Sequence, residues 1–139
     1  MFTLKSEHSF DAAHFLSGYK GKCGNIHGHR WKVEIEILSH ELSDEAQTRG
    51  MIVDFDRLKE DIKKEVDYFD HSLIVEKNTL KPKTTEALIE EGIRIVEVDF
   101  RSTAENFAKY FYNVMKDKGY EVKCATVYET PNNCASYYM

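Results

Sequence analysis

Two stretches near the start of the chain alternate apolar and polar residues, and this alternation constrains the fold more than any other feature. In residues 2–14 the apolar side chains share one parity and charged side chains occupy the other, and residues 31–37 repeat the pattern. Because side chains point alternately to the two faces of a strand, each stretch predicts a half-buried β-strand. His8 and His14 lie on the apolar parity. Both are therefore predicted to point toward the core or a cavity.

The apolar period changes to that of a helix after residue 54. The stripe Phe55, Leu58, Ile62, Val66 and Phe69 has spacings of 3, 4, 4 and 3 residues. This spacing places the five side chains on one helical face, with Asp54 as the predicted N-cap. Residues 41–50, before this helix, are polar and predict a turn.

Further helical and strand signals follow. A weaker helical segment covers about residues 84–92, and an apolar run follows over residues 93–98. Residues 102–105 have capping-box spacing, with Glu105 as the partner, and they open a helix that Gly119 is placed to end. Residues 120–130 and 133–139 predict a final strand pair. The order of strand, strand, helices, strand and strand predicts an α+β domain, residues 1–139, with helices on one face of an antiparallel sheet.

Composition excludes several classes of protein. The chain has 139 residues, 42% hydrophobic and 31% charged, which is ordinary for one globular domain. A net charge of −5, with no basic block, argues against nucleic-acid binding. No apolar run is long enough to cross a bilayer and no leader follows Met1, so a cytoplasmic location away from membranes is expected. Three cysteines are too few and too irregular for a disulfide framework.

Three histidines form the strongest chemical signal. His27 and His29 are two residues apart, so on an extended segment their rings point to one face, and His14 lies on the other predicted strand. Three imidazoles suit a zinc ion that keeps an open position for water or substrate. Cys23 could instead be a fourth ligand of a closed structural site. Near a cation its thiolate would also suit a general base.

Two further features carry weaker signals. Asp70 and His71 are neighbours at the predicted end of a helix, where a carboxylate can orient an imidazole for proton transfer. Glu129 lies at the end of a predicted strand, and its carboxylate can accept hydrogen bonds from a planar pair of N–H donors such as a 2-aminopyrimidinone edge.

Six motifs together resemble the 6-pyruvoyl-tetrahydropterin synthase family. In chain order they are Phe10-Asp11-Ala12-Ala13-His14, Cys23-x-x-x-His27-Gly28-His29, Asp54-Phe55, Asp70-His71, Thr103-Ala104-Glu105-Asn106 and Glu129-Thr130. The resemblance covers nearly the whole chain and is strongest to the bacterial 6-carboxytetrahydropterin synthase branch of queuosine biosynthesis.

The resemblance implies a fold and a set of roles. The fold would be the tunnelling fold (T-fold), a four-stranded antiparallel sheet with helices on one face, which forms trimeric barrels stacked as hexamers with active sites between subunits. The implied roles are zinc ligation by His14, His27 and His29, catalysis by Cys23, a proton-transfer pair of Asp70 and His71, a pterin anchor at Glu129 and a pterin-pocket position at Thr103.

The implied activity is that of a zinc-dependent lyase. It would convert 7,8-dihydroneopterin triphosphate to 6-carboxy-5,6,7,8-tetrahydropterin, acetaldehyde and triphosphate. The pyruvoyl synthase reaction on the same substrate is the main alternative, because the same residues serve both, although the Cys23–His29 loop favours the carboxy branch. Side-chain cleavage feeding folate synthesis is disfavoured by the resemblance, because the branch with that activity has a glutamate in place of Cys23. A non-catalytic module with structural zinc is the alternative from another class.

The sequence departs from the family pattern after His71. Residues 72–75 read Ser-Leu-Ile-Val where the family usually has Leu followed by Asn or Asp, and residues 77–98 form a long stretch. The shape of the wall beside His71 is therefore not predicted. Lys20, Lys22 and Arg30 are candidates to contact the triphosphate.

Overall fold

The two alternating stretches form the longest strands of a six-stranded sheet in this computed structural model, which describes residues 1–139. The strands are β1 (Phe2–His14), β2 (His27–Ser39), β3 (Ser72–Glu76), β4 (Ile95–Val98), β5 (Val122–Thr130) and β6 (Asn133–Tyr137). The helices are α1 (Phe55–Asp67), α2 (Pro82–Glu90) and α3 (Ala104–Asp117), and Lys22–Gly24 forms a short 3₁₀ turn. The predicted α+β class is confirmed. No helix is long and apolar enough to cross a membrane.

The sheet is larger than predicted, and it is mixed. Its strand order is β4-β3-β1-β2-β5-β6. The segment β1-β2-β5-β6 is antiparallel and corresponds to the expected four-stranded sheet. β3 and β4 extend it as parallel strands beside the end of β1. The sequence analysis missed β3 because a short continuous apolar run has no diagnostic period. The unusual residues 72–98 are thus a β3-α2-β4 unit, with α2 as the crossover that parallel strands require.

The core lies between the apolar face of β1 and β2 and the helices α1 and α3. Phe10 and Trp31 face each other in the register, and their parallel rings lie 5.9 Å apart. Phe69, Phe107 and Phe111 pack around Phe10 at centroid distances of 5.9, 6.4 and 6.4 Å. All five side chains are buried, and each contributes roughly 1.5–3 kcal/mol through burial.

Helix α1 begins as predicted and buries most of its stripe. The Asp54 carboxylate accepts a hydrogen bond from the Asp56 N–H at 2.8 Å, which confirms the N-cap. Leu58, Ile62 and Val66 are buried, but Phe55 is 56% exposed. Phe55, the first residue of the predicted stripe, lies outside the core because it borders an open apolar groove.

Helix α3 begins one residue later than the capping-box spacing predicts. Thr103 is the N-cap, and its hydroxyl accepts a hydrogen bond from the Asn106 N–H at 3.3 Å. Glu105 is exposed and is not a capping-box partner, so that expectation was wrong. Ser102 is buried and contacts His14 instead. As predicted, Gly119 follows the helix end, where its φ of +97° suits glycine.

Candidate metal centre and proton-transfer pair

The pairing of β1 and β2 brings three histidines together on the core face of the sheet. His14 lies directly opposite His27, and Ala12 lies opposite His29. The ring centroid of His27 is 4.6 Å from that of His14 and 4.8 Å from that of His29. His14 is only 1% exposed and packs against Trp31. The histidine group therefore continues the hydrophobic core at one end of the sheet.

Backbone carbonyls fix the orientation of two of the rings. His14 Nδ1 lies 2.9 Å from the Ser102 carbonyl oxygen, and His27 Nδ1 lies 2.6 Å from that of Asn25. A carbonyl can only accept, so each Nδ1 carries the proton and each Nε2 keeps its lone pair. The Nε2 atoms of His14, His27 and His29 are buried without a hydrogen-bond partner. Such atoms are costly unless a ligand satisfies them.

Glu129 completes the group of possible ligands. One ligand atom from each of His14, His27, His29 and Glu129 lies within 4.8 Å of every other. The Glu129 carboxylate oxygen is 3.1 Å from His29 Nε2, although the approach does not have hydrogen-bond geometry. Cys23 is outside this group. The fourth possible ligand in this group is thus a carboxylate oxygen, which was not predicted from the sequence.

Burial disfavours the charged form of two of these imidazoles, His14 and His29. Burial, together with the neighbouring histidines, lowers the pKa of His14 from 6.5 to about 4. Burial also lowers the pKa of His29, against the opposing effect of the Glu129 carboxylate. Neutral imidazoles with free lone pairs and a nearby carboxylate are the donor set of zinc and similar metals. The residues present therefore fit a zinc ion.

The loop between β1 and β2 holds Cys23 in the 3₁₀ turn, where its side chain is half-buried and its thiol is free. The Leu16 N–H donates to the Cys23 carbonyl at 2.9 Å and closes the loop. A Cβ on Gly24 would lie 2.6 Å from the Tyr19 carbonyl oxygen, so only glycine fits there. This close approach fixes the backbone beside the thiol.

Asp70 and His71 form a hydrogen-bonded pair in the turn between α1 and β3. His71 Nδ1 lies 2.8 Å from one Asp70 carboxylate oxygen, and the other oxygen accepts the Asp11 N–H at 2.8 Å. The Asp11 N–H bond, followed by the His71 contact, lowers the pKa of Asp70, so its carboxylate stays ionised at neutral pH. The His71 side chain is 80% exposed. Its Nε2 can therefore exchange a proton with a molecule that approaches from solvent.

No hydrogen bond, ion pair or ring contact joins the Asp70–His71 pair to the histidine group. Thr103 follows Ser102, which contacts His14, and its hydroxyl caps helix α3. Arg30 is held by Asp11 through two bonds of 3.0 Å, whereas Lys20 and Lys22 are exposed and form no ion pair. One chain thus carries two separate reactive clusters.

The sequence analysis missed the residues that orient the reactive groups. Ser102 and Asn25 act on the histidines through backbone oxygens, and Asp11 holds Asp70 through its backbone N–H. Backbone contacts do not depend on residue type, so no sequence pattern could have revealed them. Asp11 and Asn25 lie inside two of the six motifs, and Ser102 lies in the capping-box segment, but none of the three was assigned this role.

We expect the metal-free protein to lose stability on acidification because of His14. Between pH 6.5 and 4 the unfolded chain binds a proton that folded His14 does not, so the free energy of unfolding falls as pH falls. The loss between pH 7 and 5 should be about 2 kcal/mol. Urea unfolding with a chelator, at fixed protein concentration, measures it.

His14→Asn keeps a donor for Ser102 and should flatten this pH dependence, whereas His40→Asn, at an exposed histidine, should not. Equal slopes for the wild type and His14→Asn would contradict the prediction.

Comparison with known proteins gives a consistent result. The model of the 6-pyruvoyl tetrahydropterin synthase family matches residues 3–139. A 6-carboxy-5,6,7,8-tetrahydropterin synthase from Haemophilus influenzae is 34% identical over an alignment of 140 positions that covers 99% of each chain. The protein of the same name from Rickettsia felis is 35% identical over 131 residues, 88% of this chain and 90% of that one.

Solved structures share the fold. An uncharacterized protein from Wolinella succinogenes has a TM-score of 0.81 at 19% identity, covering 99% of this chain and 97% of that chain. The 6-pyruvoyl tetrahydropterin synthase of Caenorhabditis elegans has a TM-score of 0.71 at 25% identity, with 99% and 95% coverage. The T-fold expectation is thereby confirmed. By its motifs, fold and full-length relatives, this chain belongs to the 6-pyruvoyl tetrahydropterin synthase family of tetrahydropterin synthases.

Proposed function

We propose that the protein is a zinc-dependent 6-carboxytetrahydropterin synthase of queuosine (7-deazaguanine) biosynthesis. It would act as one domain, residues 1–139, on 7,8-dihydroneopterin triphosphate and release 6-carboxy-5,6,7,8-tetrahydropterin, acetaldehyde and triphosphate. The observation that carries the proposal is the convergence of three buried, partnerless Nε2 atoms in a chain whose full-length relatives have this name.

His14, His27 and His29 would hold the zinc. When bound, zinc acts as a Lewis acid that makes nearby hydroxyl groups more acidic. The chain contributes three imidazoles, two of them oriented by carbonyl groups, so little reorganisation is needed on binding. The buried setting against Trp31 also excludes water and strengthens electrostatic interactions at the site.

Cys23 is the proposed base. As a thiolate it would accept a proton from the side chain of the substrate. The 3₁₀ turn and Gly24 hold its backbone in a fixed place, which favours a defined approach of the thiolate to that side chain. Cys23 is not in the group of possible ligands, which supports a catalytic role over the closed structural site.

Asp70 and His71 are proposed to move the second proton. The Asp70 carboxylate accepts the Nδ1–H of His71, so Nε2 carries the lone pair that takes up or returns a proton. No contact joins this pair to the histidine group within one chain, and the family resemblance implies active sites between subunits. We therefore include a homotrimer or a hexamer of two trimers in the proposal.

Glu129 and Thr103 are the proposed pterin contacts. The Glu129 carboxylate would accept two N–H groups of the pterin ring, and Thr103 would line the pocket. Lys20 and Lys22 remain candidates for the triphosphate, because they form no ion pair, unlike Arg30. The proposed location is the cytoplasm, where reducing conditions keep Cys23 a free thiol.

The pyruvoyl synthase reaction is the second candidate function. It removes triphosphate from the same substrate without cleaving the side chain, and the Caenorhabditis elegans neighbour has that name. The names of the relatives from Haemophilus influenzae and Rickettsia felis favour the carboxy reaction.

We expect zinc-loaded protein to convert 7,8-dihydroneopterin triphosphate to carboxytetrahydropterin with one acetaldehyde per turnover. Mass spectrometry of the pterins and of trapped acetaldehyde measures this. Pyruvoyl-tetrahydropterin without acetaldehyde would transfer the function to the second candidate. Bound zinc without any turnover would instead favour a structural zinc module.

Cys23→Ala should keep its metal and its fold but lose activity. We expect kcat to fall by about 10²–10⁴-fold, the usual contribution of general base catalysis. Metal content, thermal unfolding and steady-state kinetics give the three readouts. Cys134→Ala removes an exposed thiol and is the matched control, with kcat unchanged. Loss of zinc and unfolding of Cys23→Ala would show that Cys23 is a structural ligand.

Glu129→Gln should separate the two roles that its position allows. If Glu129 anchors the pterin, KM should rise roughly 10-fold or more, because a charge-assisted pair of hydrogen bonds is lost, and zinc affinity should stay constant. Zinc titration with a competing chelator and steady-state kinetics measure the two quantities. Weaker zinc binding with unchanged KM would identify Glu129 as a metal ligand. Glu97→Gln, at an exposed glutamate, is the control.

A further inference from the structure

The turn that carries Asp70 and His71 is held from both neighbouring strands. It leads directly into β3, which lies between β1 and β4 in the sheet. From the β1 side, Asp11 donates its N–H to the Asp70 carboxylate and accepts the His71 N–H at 2.7 Å. From the β4 side, Arg94 Nη1 donates to the Asp70 carbonyl at 2.9 Å, and Nη2 donates to the Tyr68 carbonyl.

The turn needs such support because its backbone is strained. His71 has a φ of +54°, in the left-handed region that costs a non-glycine residue about 1–2 kcal/mol. The His71 side chain is 80% exposed, so packing does not orient the ring. Its orientation depends on the 2.8 Å contact with Asp70, and this contact depends on the backbone of the turn.

Arg94 is well suited to hold two carbonyl groups together. A guanidinium is a planar fork with several fixed N–H donors, whereas a lysine ammonium is a point charge that cannot span two acceptors in the same way. The Arg94 guanidinium also lies 5.8 Å from the centre of the Tyr68 ring. Since Tyr68 is the C-cap of α1, a cation here is also favoured by the helix dipole.

The backbone of Arg94 is itself anchored. The Leu73 N–H donates to the Arg94 carbonyl at 2.9 Å, directly beside the parallel pairing of Leu73 with Ile95. The fork therefore extends from a fixed point at the start of β4. This strand belongs to residues 72–98, the part of the chain that departs from the family pattern.

We propose that Arg94 is a positioning residue for the Asp70–His71 pair. This inference rests on the proposed function, in which that pair moves a proton. The β3-α2-β4 unit supplies the forked guanidinium of Arg94, which holds the carbonyl groups of Tyr68 and Asp70 in place. The turn is thereby fixed, so the Nδ1–H of His71 stays hydrogen-bonded to the Asp70 carboxylate. Loss of the fork frees the turn, so His71 populates both tautomers and proton transfer slows. Zinc and pterin binding are unaffected.

The test compares the wild type with Arg94→Gln, Arg94→Lys and Arg49→Gln. Arg49 is exposed and makes no ion pair or side-chain hydrogen bond, so Arg49→Gln controls for the lost charge. Nitrogen-15 NMR of the His71 ring reports its tautomer directly, without substrate. Steady-state kinetics with 7,8-dihydroneopterin triphosphate give kcat and KM. Zinc content and thermal unfolding show whether metal binding and the fold are unchanged in each variant.

We expect Arg94→Gln to shift His71 from the Nδ1–H form to a mixture and to lower kcat about 10-fold, with KM within about twofold. Arg94→Lys should be intermediate in both readouts, and it provides the comparison if Arg94→Gln does not fold. Arg49→Gln should match the wild type.

Two results would overturn the inference. One is an unchanged His71 tautomer in both Arg94 variants, whatever the rates. The other is an altered tautomer with kcat unchanged in an active enzyme. If the wild type shows no turnover, the proposed function fails, and the tautomer comparison alone still decides whether Arg94 positions the pair.

Discussion

The register between β1 and β2 is the constraint on which the histidine group depends. In this register Phe10 faces Trp31 and His14 faces His27, so the core and the histidines share one face of the sheet. A shift of one residue would turn every side chain of β2 to the other face and separate the three rings. The stacked pair of Phe10 and Trp31 makes that shift costly, because both rings would lose their buried contacts. Packing of the core therefore positions the three histidines.

The same burial makes the histidine group a strained part of the protein. Three ring nitrogens are removed from water without a partner, and each unsatisfied buried group costs about 1–3 kcal/mol. The Ser102 and Asn25 carbonyls accept hydrogen bonds from Nδ1 of His14 and His27. The cost of burial without a partner therefore falls on the Nε2 atoms, which converge. A metal that binds only the folded state would recover this cost as stability. Metal binding at this site would therefore be coupled to folding.

The reactive clusters differ in how they are supported. The histidines are rigid because they continue the core, whereas His71 is exposed and is held only by hydrogen bonds from neighbouring strands. The Asp54 cap, the α1 stripe and the final strand pair were predicted correctly, because each leaves a local pattern. β3 was not predicted, because a short apolar run has no diagnostic period. The later start of α3 was not predicted either, because Ser102 contacts the distant His14 instead of capping the helix.

The sequence alone determined the two long strands, the class of fold and the residue types that converge as possible ligands, since these follow from side-chain periodicity and spacing. Only the tertiary structure decided which ring nitrogen of each histidine is free, since the Ser102 carbonyl that orients His14 lies 88 residues away. It also decided that Glu129, rather than Cys23, joins the histidines, and that Arg94 supports the Asp70–His71 turn. These outcomes depend on contacts between distant segments, and such contacts leave no pattern in the sequence.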